Sequence, residues 1–230
     1  IVDEECGISG YKLVIAPMLY LLRAGFEEKL KAFVENGGTL IGTYHTGLVN
    51  ENDLCYLGGW PGAGLGEVFG LWHEDTDSLW DDEHNTLRLA DGREYGLKEI
   101  CALIHPRGAQ VLGTYGEDFY QGEAALTVNQ YGKGRAYYIA SFGEDALYRD
   151  LYQKLAGELS LKRALEDLPP QGVEACLREN GEAQYLFLQN FSGRQQQVSL
   201  PQGYASLEGE PVQEASLAPY DGQVFCREKR

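Results

Sequence analysis

The sequence predicts an α/β domain with a mostly parallel sheet, followed by a small all-β sandwich domain, and three observations carry that reading. A short apolar run, an amphipathic helix and a second apolar run follow one another near the start. The run PPQG at residues 169–172 is the sharpest break in the pattern, as a linker requires. Past it, alternating apolar segments flank the pair Asn180 and Gly181, the strongest short hairpin signal.

Taken in order, YKLVIA (residues 11–16), closed by Pro17, reads as a strand buried on both faces. Phe26, Leu30, Phe33 and Val34 then share one helical face, and Gly37 with Gly38 supplies the stop. TLIGTY (residues 39–44) is the next buried strand. Strand, helix and strand with short links form a right-handed crossover, which makes the two strands parallel. Residues 45–70 are too long and too rich in Gly, Pro, Asn and Asp for an ordinary connection, so they read as a functional or interface loop ending in an amphipathic piece at 65–69. Strands are expected at 71–76, 86–89, 109–115, 124–129 and 135–140, the last two joined as a hairpin by Gly132 and Gly134. A helix over 145–160, with Leu147, Leu151, Leu155 and Leu159 on one face, closes the first domain. The organisation expected is therefore 1–164, a linker at 165–172, and a β-domain over 173–230 with strands at 173–179, 183–190, 196–200, 205–207 and 223–227.

Composition narrows the function. With 19 basic and 35 acidic residues the chain carries a net charge of −16, which repels a phosphate backbone or an anionic membrane. No apolar run approaches the roughly 18 residues of a membrane helix, and no signal-peptide pattern opens the sequence. Cys6, Cys55, Cys101, Cys176 and Cys226 are odd in number, widely spaced and never paired as CxxC. They read as reduced thiols of a cytoplasmic protein. The sequence opens at Ile1, and its only methionine is Met18, so it reads as a fragment. An Ile-Val start also occurs in trypsin-like proteases, but the serine motif and its His and Asp partners are missing.

Chemistry-bearing patterns are scarce. A strand-to-helix turn could hold a nucleophile, yet GTYHTG (residues 42–47) has neither Cys nor Ser. Cys55, among apolar neighbours, reads as a buried structural thiol. His45, His73, His84 and His105 show no spacing that pairs two imidazoles on a metal. Glu74, Asp75, Thr76 and Asp77 resemble the opening of a calcium loop but lack its sixth-position glycine and final Glu. The sequon Asn190, Phe191, Ser192 has meaning only in a eukaryotic secretory setting. Glycoside cleavage needs two carboxylates about 5 to 10 Å apart. Glu51 with Asp53, or Glu117 with Asp118, could be set in that role, but acids in Gly-rich loops more often cap turns. The sequence therefore assigns no catalytic, cofactor or metal residue.

Several blocks together resemble one family. YKLVIAPMLY (11–20), FVENGGT (33–39), GLVNEND (47–53), GGWPG (58–62), YGEDFY (115–120) and NQYGKGRAYYIA (129–140) are similar to the trimerisation domain of glycoside hydrolase family 42 β-galactosidases. YLFLQN (185–190) and LAPY (217–220) are similar to that family's C-terminal β-domain. The sequence departs at Ala63 and Gly64, where the family usually has Pro-Leu, and its first strand looks truncated at Ile1 and Val2. The resemblance implies a retaining enzyme whose (β/α)8 barrel holds both catalytic glutamates, while an amidotransferase-like (flavodoxin-like) domain joins three subunits. None of those barrel residues has a counterpart here.

The reading is thus an assembly region, inactive alone, with further copies of itself as partner and a galactoside met only through the barrel. Trp60, Phe69, Trp72 and Trp80 are its expected interface residues. Two alternatives remain: a stand-alone amidotransferase-like hydrolase using Cys55 or Cys101, and a carbohydrate-binding module in the C-terminal β-domain.

Overall fold

The computed structural model describes residues 2–229; Ile1, at which the sequence opens, lies outside them. The chain divides into two compact units after Leu161.

The first unit starts with the expected crossover. Strand β1 (Leu13–Ala16) is followed by the two-residue β2 (Leu21–Leu22), helix α1 (Phe26–Glu35) and strand β3 (Thr39–Thr43). β1 lies parallel to β3, Leu13 opposite Thr39 and Ala16 opposite Gly42. α1 buries Leu30, Phe33 and Val34, the stripe that the spacing predicts. β3 is buried along its whole length. β1 is not: among the described residues it pairs with β3 alone, at the sheet edge, and leaves Ile15 exposed. Strand β4 (Val49–Asn50) runs parallel to β2, and α2 (Leu65–Phe69) forms the amphipathic piece at the end of the long loop.

From there the sheet turns antiparallel. Strands β5 (Leu71–Ser78), β6 (Asn85–Leu89), β7 (Glu94–Pro106), β8 (Gln110–Tyr115), β9 (Ala124–Tyr131), β10 (Gly134–Ile139) and β11 (Ser141–Gly143) precede α3 (Asp145–Glu158). The sheet runs β1-β3-β10-β9-β8-β6-β7-β11, with β5 on β7. The expectation of a mostly parallel sheet is therefore corrected: only β1, β3 and β10 run parallel, and the sheet is mixed. The cause lies in the connections, since β5 to β10 are joined by turns too short for the crossover that parallel pairing needs. β7 and β11 escaped the sequence reading. In β7, Gly96 and Lys98 alternate with buried Tyr95 and Leu97 until Glu99, which takes a left-handed φ of 64° and shifts the pattern. The β9–β10 hairpin forms as expected, with Gly132 at φ 57°. Gly134 is obligatory there, because a Cβ would strike the Val34 and Gly38 carbonyl oxygens. α3 buries Leu147, Leu151 and Leu155 and ends at Glu158, with Leu159 as its C-cap.

The second unit is all β. β12 (Val173–Glu179), β13 (Ala183–Asn190) and β16 (Gly222–Glu228) form one antiparallel sheet; β14 (Gln196–Ser199) and β15 (Glu214–Leu217) form another. Leu186, Leu188, Val198, Ala215, Leu217 and Phe225 close one core between them. The strand expected at 205–207 is reduced to bridges from Ala205 to Pro211 and Cys226, and β15 was not foreseen.

Candidate functional site

The long loop and the strands behind it gather the aromatic residues singled out from sequence, but not all on the surface. Phe69 is 1% exposed, its ring over Gly42 and 5.1 Å from that of Tyr138. The expectation that it faces a neighbour is corrected: as the last residue of a one-turn helix laid on the sheet, it fills the core of its own unit. Trp60 and Trp72 are half-buried and Trp80 is exposed.

Trp60 and Trp72 line a shallow cleft of about 270 Å³ together with Leu57, Glu67 and Arg107. The backbone fixes both. The His73 N–H donates to the Trp60 carbonyl at 2.8 Å, and Trp72 lies opposite His105 in the β5–β7 pair. The Trp72 indole stacks on His105 with centroids 4.6 Å apart, while the Arg107 guanidinium stands 5.5 Å over the indole. His105 is in turn hydrogen-bonded to Glu74. A cation and an imidazole against one indole hold a large flat apolar side chain rigid at the surface, which is the property of an interface anchor. Trp60 presents a buried indole Nε1 without a hydrogen-bond partner among the described residues.

Beside the cleft, residues 49–57 form a tight knuckle. The Asn50 side-chain oxygen accepts the N–H groups of Asn52 and Leu54 at 3.0 and 3.1 Å, and Asn50 N–H donates to the Leu54 carbonyl at 3.0 Å. This ordered turn pushes Leu54 and Leu57 into solvent, Leu57 completely. Sequence reasoning missed both, because an apolar residue between turn signals reads as core. Phe119, 79% exposed, was missed for the same reason.

The remaining candidates do not converge on a catalytic arrangement. His45 occupies the turn after β3 with φ 60°, where a nucleophile elbow would place its reactive residue. Its neighbours are committed locally: Thr43 Oγ1 accepts from Met18 N–H, and Thr46 Oγ1 donates to the Thr43 carbonyl. Burial lowers the His45 pKa. Burial also lowers that of His73, whose Nε2 lies 2.7 Å from the Asp75 carbonyl; a carbonyl only accepts, so Nε2 carries the proton. Cys55 is exposed, against the expectation of a buried thiol, because it sits on the outer limb of the knuckle. Cys101 is buried in β7, and burial pushes its thiol up to about 11.

The acids cap and brace. Asp118 Oδ1 accepts the Phe119 N–H at 2.6 Å, and Glu117 accepts from the Thr86 hydroxyl at 3.2 Å. Glu51 and Asp53 are exposed on the knuckle. In the calcium-like run, Glu74 binds His105, Asp75 caps Thr76 and Asp77 accepts from the Tyr120 hydroxyl, so the carboxylates diverge. Among the described residues no group of three or more His, Cys, Asp and Glu could hold a metal ion. Asn190 of the sequon is 2% exposed, and its amide nitrogen donates to the carbonyls of Arg194 and Ala218 at 2.7 and 2.8 Å.

Comparison with known proteins bears on both units. Residues 1–162 match the family model described as the β-galactosidase trimerisation domain, and residues 172–225 match the β-galactosidase C-terminal domain. Among curated relatives, β-galactosidase BglY of Alicyclobacillus acidocaldarius is 44% identical over 97% of this chain and 32% of its own length. β-Galactosidase Pbg of Clostridium perfringens is 42% identical over 99% of this chain and 34% of its own. Among solved structures, a β-galactosidase from Rahnella sp. R3 superposes with a TM-score of 0.88 at 42% identity, over 99% of this chain and 34% of that one. One from Bacillus circulans sp. alkalophilus gives 0.87 at 34% identity, over 97% and 34%. The chain spans about a third of the length of the relatives it matches. With its first unit matched throughout by one family domain and most of its second by the next, the chain belongs to the family 42 β-galactosidases, of which it carries the trimerisation and C-terminal domains.

Proposed function

We propose that these residues are the assembly region of a homotrimeric β-galactosidase and do not themselves break a glycosidic bond. The match of residues 1–162 to a trimerisation domain carries this reading. The ordered apolar surface of Trp60, Trp72, Leu54 and Leu57 supports it, being the kind of rigid patch that self-association buries. Phe119 and Trp80 offer further exposed aromatic surface on the same unit. The first domain, 1–164, is amidotransferase-like in its β1-α1-β3 crossover; 165–172 acts as linker and 173–230 as the small β-domain. The parent enzyme cleaves terminal β-D-galactosides with retention in the cytoplasm, using carboxylates outside these residues, with no cofactor, nucleic acid or membrane as partner. Of the acids singled out, Glu74 pairs with His105, Glu117 with the Thr86 hydroxyl and Asp118 with the Phe119 N–H, while Glu51 and Asp53 stand exposed.

The test is an assay of this chain beside the full-length parent on a chromogenic β-galactoside. Turnover by the parent alone is the expected result; turnover by this chain, abolished by replacing Glu51 or Glu117, would overturn the proposal.

A further inference from the structure

The sequence holds two Asn-Gly pairs, Asn36 with Gly37 and Asn180 with Gly181, and the fold sets them in opposite chemical situations. Asn-Gly is the pair in which a backbone nitrogen most easily reaches the preceding side-chain amide, because glycine has no Cβ to obstruct the approach. All four residues are exposed, so solvent access does not separate the two pairs.

Hydrogen bonding does. Asn36 is the C-cap of α1; its side-chain nitrogen donates to the Ala32 carbonyl at 2.8 Å, and the Gly37 N–H donates to the Val34 carbonyl at 2.9 Å. Both the nucleophile and the leaving group are thus tied to the last helical turn, and attack would require breaking that cap. Asn180 occupies the first position of the β12–β13 turn, its N–H bonded to the Ala183 carbonyl at 3.0 Å. Its side-chain oxygen accepts two backbone N–H groups, from Glu182 at 2.9 Å and Ala183 at 2.8 Å. The Gly181 N–H has no acceptor among the described residues. A Cβ built at Gly181 would meet nothing within 4 Å.

We propose that Asn180 is a self-modification site of this chain. The Gly181 nitrogen, on losing its proton to solvent base, attacks Cγ of Asn180. The N–Cγ bond forms, the Cγ–Nδ2 bond breaks, and the amide nitrogen leaves as ammonia after taking up a proton. Negative charge develops on Oδ1 during the attack, where the Glu182 and Ala183 N–H groups already point, in the manner of an oxyanion hole. Water then opens the five-membered succinimide without any change of oxidation state. Attack at Cγ gives aspartate; attack at the former backbone carbonyl gives isoaspartate. The Lys229 ammonium donates to that backbone carbonyl oxygen at 2.8 Å, which polarises it and favours the isoaspartate product. The result is a new carboxylate between Glu179 and Glu182 and, in the iso form, one extra backbone methylene at the tightest point of the hairpin.

The experiment incubates the whole folded chain at mildly alkaline pH, with peptide mapping by mass spectrometry over time and enzymatic methylation to detect isoaspartate. Asn180 is expected to convert at least about tenfold faster than Asn36, a barrier difference of about 1.4 kcal/mol. In denaturant the two rates should converge. Gly181→Ala should slow Asn180 alone while leaving circular dichroism unchanged. Equal rates at the two sites in the folded chain would overturn the proposal. So would a ratio that survives denaturation, or no conversion of Asn180 during a period in which the denatured chain converts.

Discussion

Trp72 lies flat against His105, ring centroids 4.6 Å apart at 23°, with both side chains fixed by facing positions on β5 and β7. Because neighbouring strands rather than a mobile loop hold this pair, its surface is ready to bury without further ordering. Phe69, three residues earlier in the chain, points the other way and closes the core.

That contrast separates assembly from folding. Phe69→Ala should cost about 3–5 kcal/mol of stability, seen as a lower Tm of the isolated chain. Trp72→Ala should weaken association by about 2 kcal/mol or more and lower Tm only by the share that assembly contributes. Sedimentation velocity and thermal denaturation on both variants check the pair; a Trp72 variant that assembles normally removes Trp72 from the interface.

Thiol chemistry follows burial. At neutral pH a thiol-specific reagent should modify Cys55 and Cys6, both exposed, while Cys101 remains unlabelled until the protein unfolds. Burial raises the Cys101 thiol to about 11, so its thiolate fraction is small, and the sheet denies access. Mass mapping after timed alkylation provides the check; rapid labelling of Cys101 would revive a thiol mechanism.

Stability should depend on pH through His73 and His45. Burial holds both imidazoles below their ordinary pKa of 6.5 in the folded state. The unfolded chain therefore binds protons that the folded chain refuses, so stability is intact above pH 6.5 and falls as pH drops below it. Urea midpoints across that range should decline more steeply for the natural chain than for His73→Asn.

Much of this fold was legible from local pattern. The α1 stripe, the β9–β10 hairpin and both strands around Asn180 stand where period and turn chemistry put them. The turn itself differs in detail: Gly181 and Glu182 form its centre, and Asn180 serves as its cap. β7 was not legible, because the left-handed Glu99 shifts its alternation midway and pairing with β5, β6, β9 and β11 sustains it. The surface was hardest to read. Leu57 and Phe69 are both large apolar residues of the same Gly-rich region, and only tertiary packing decides that one faces solvent and the other the core.

The central claim is that this chain assembles with copies of itself. Light scattering coupled to size exclusion, at about 0.15 M salt so that a net charge of −16 per chain is screened, tests it most directly. The account predicts a particle of three 25.5 kDa chains. A single-chain mass at every concentration up to roughly 100 μM, equivalent to an association weaker than about −5.5 kcal/mol, would contradict it.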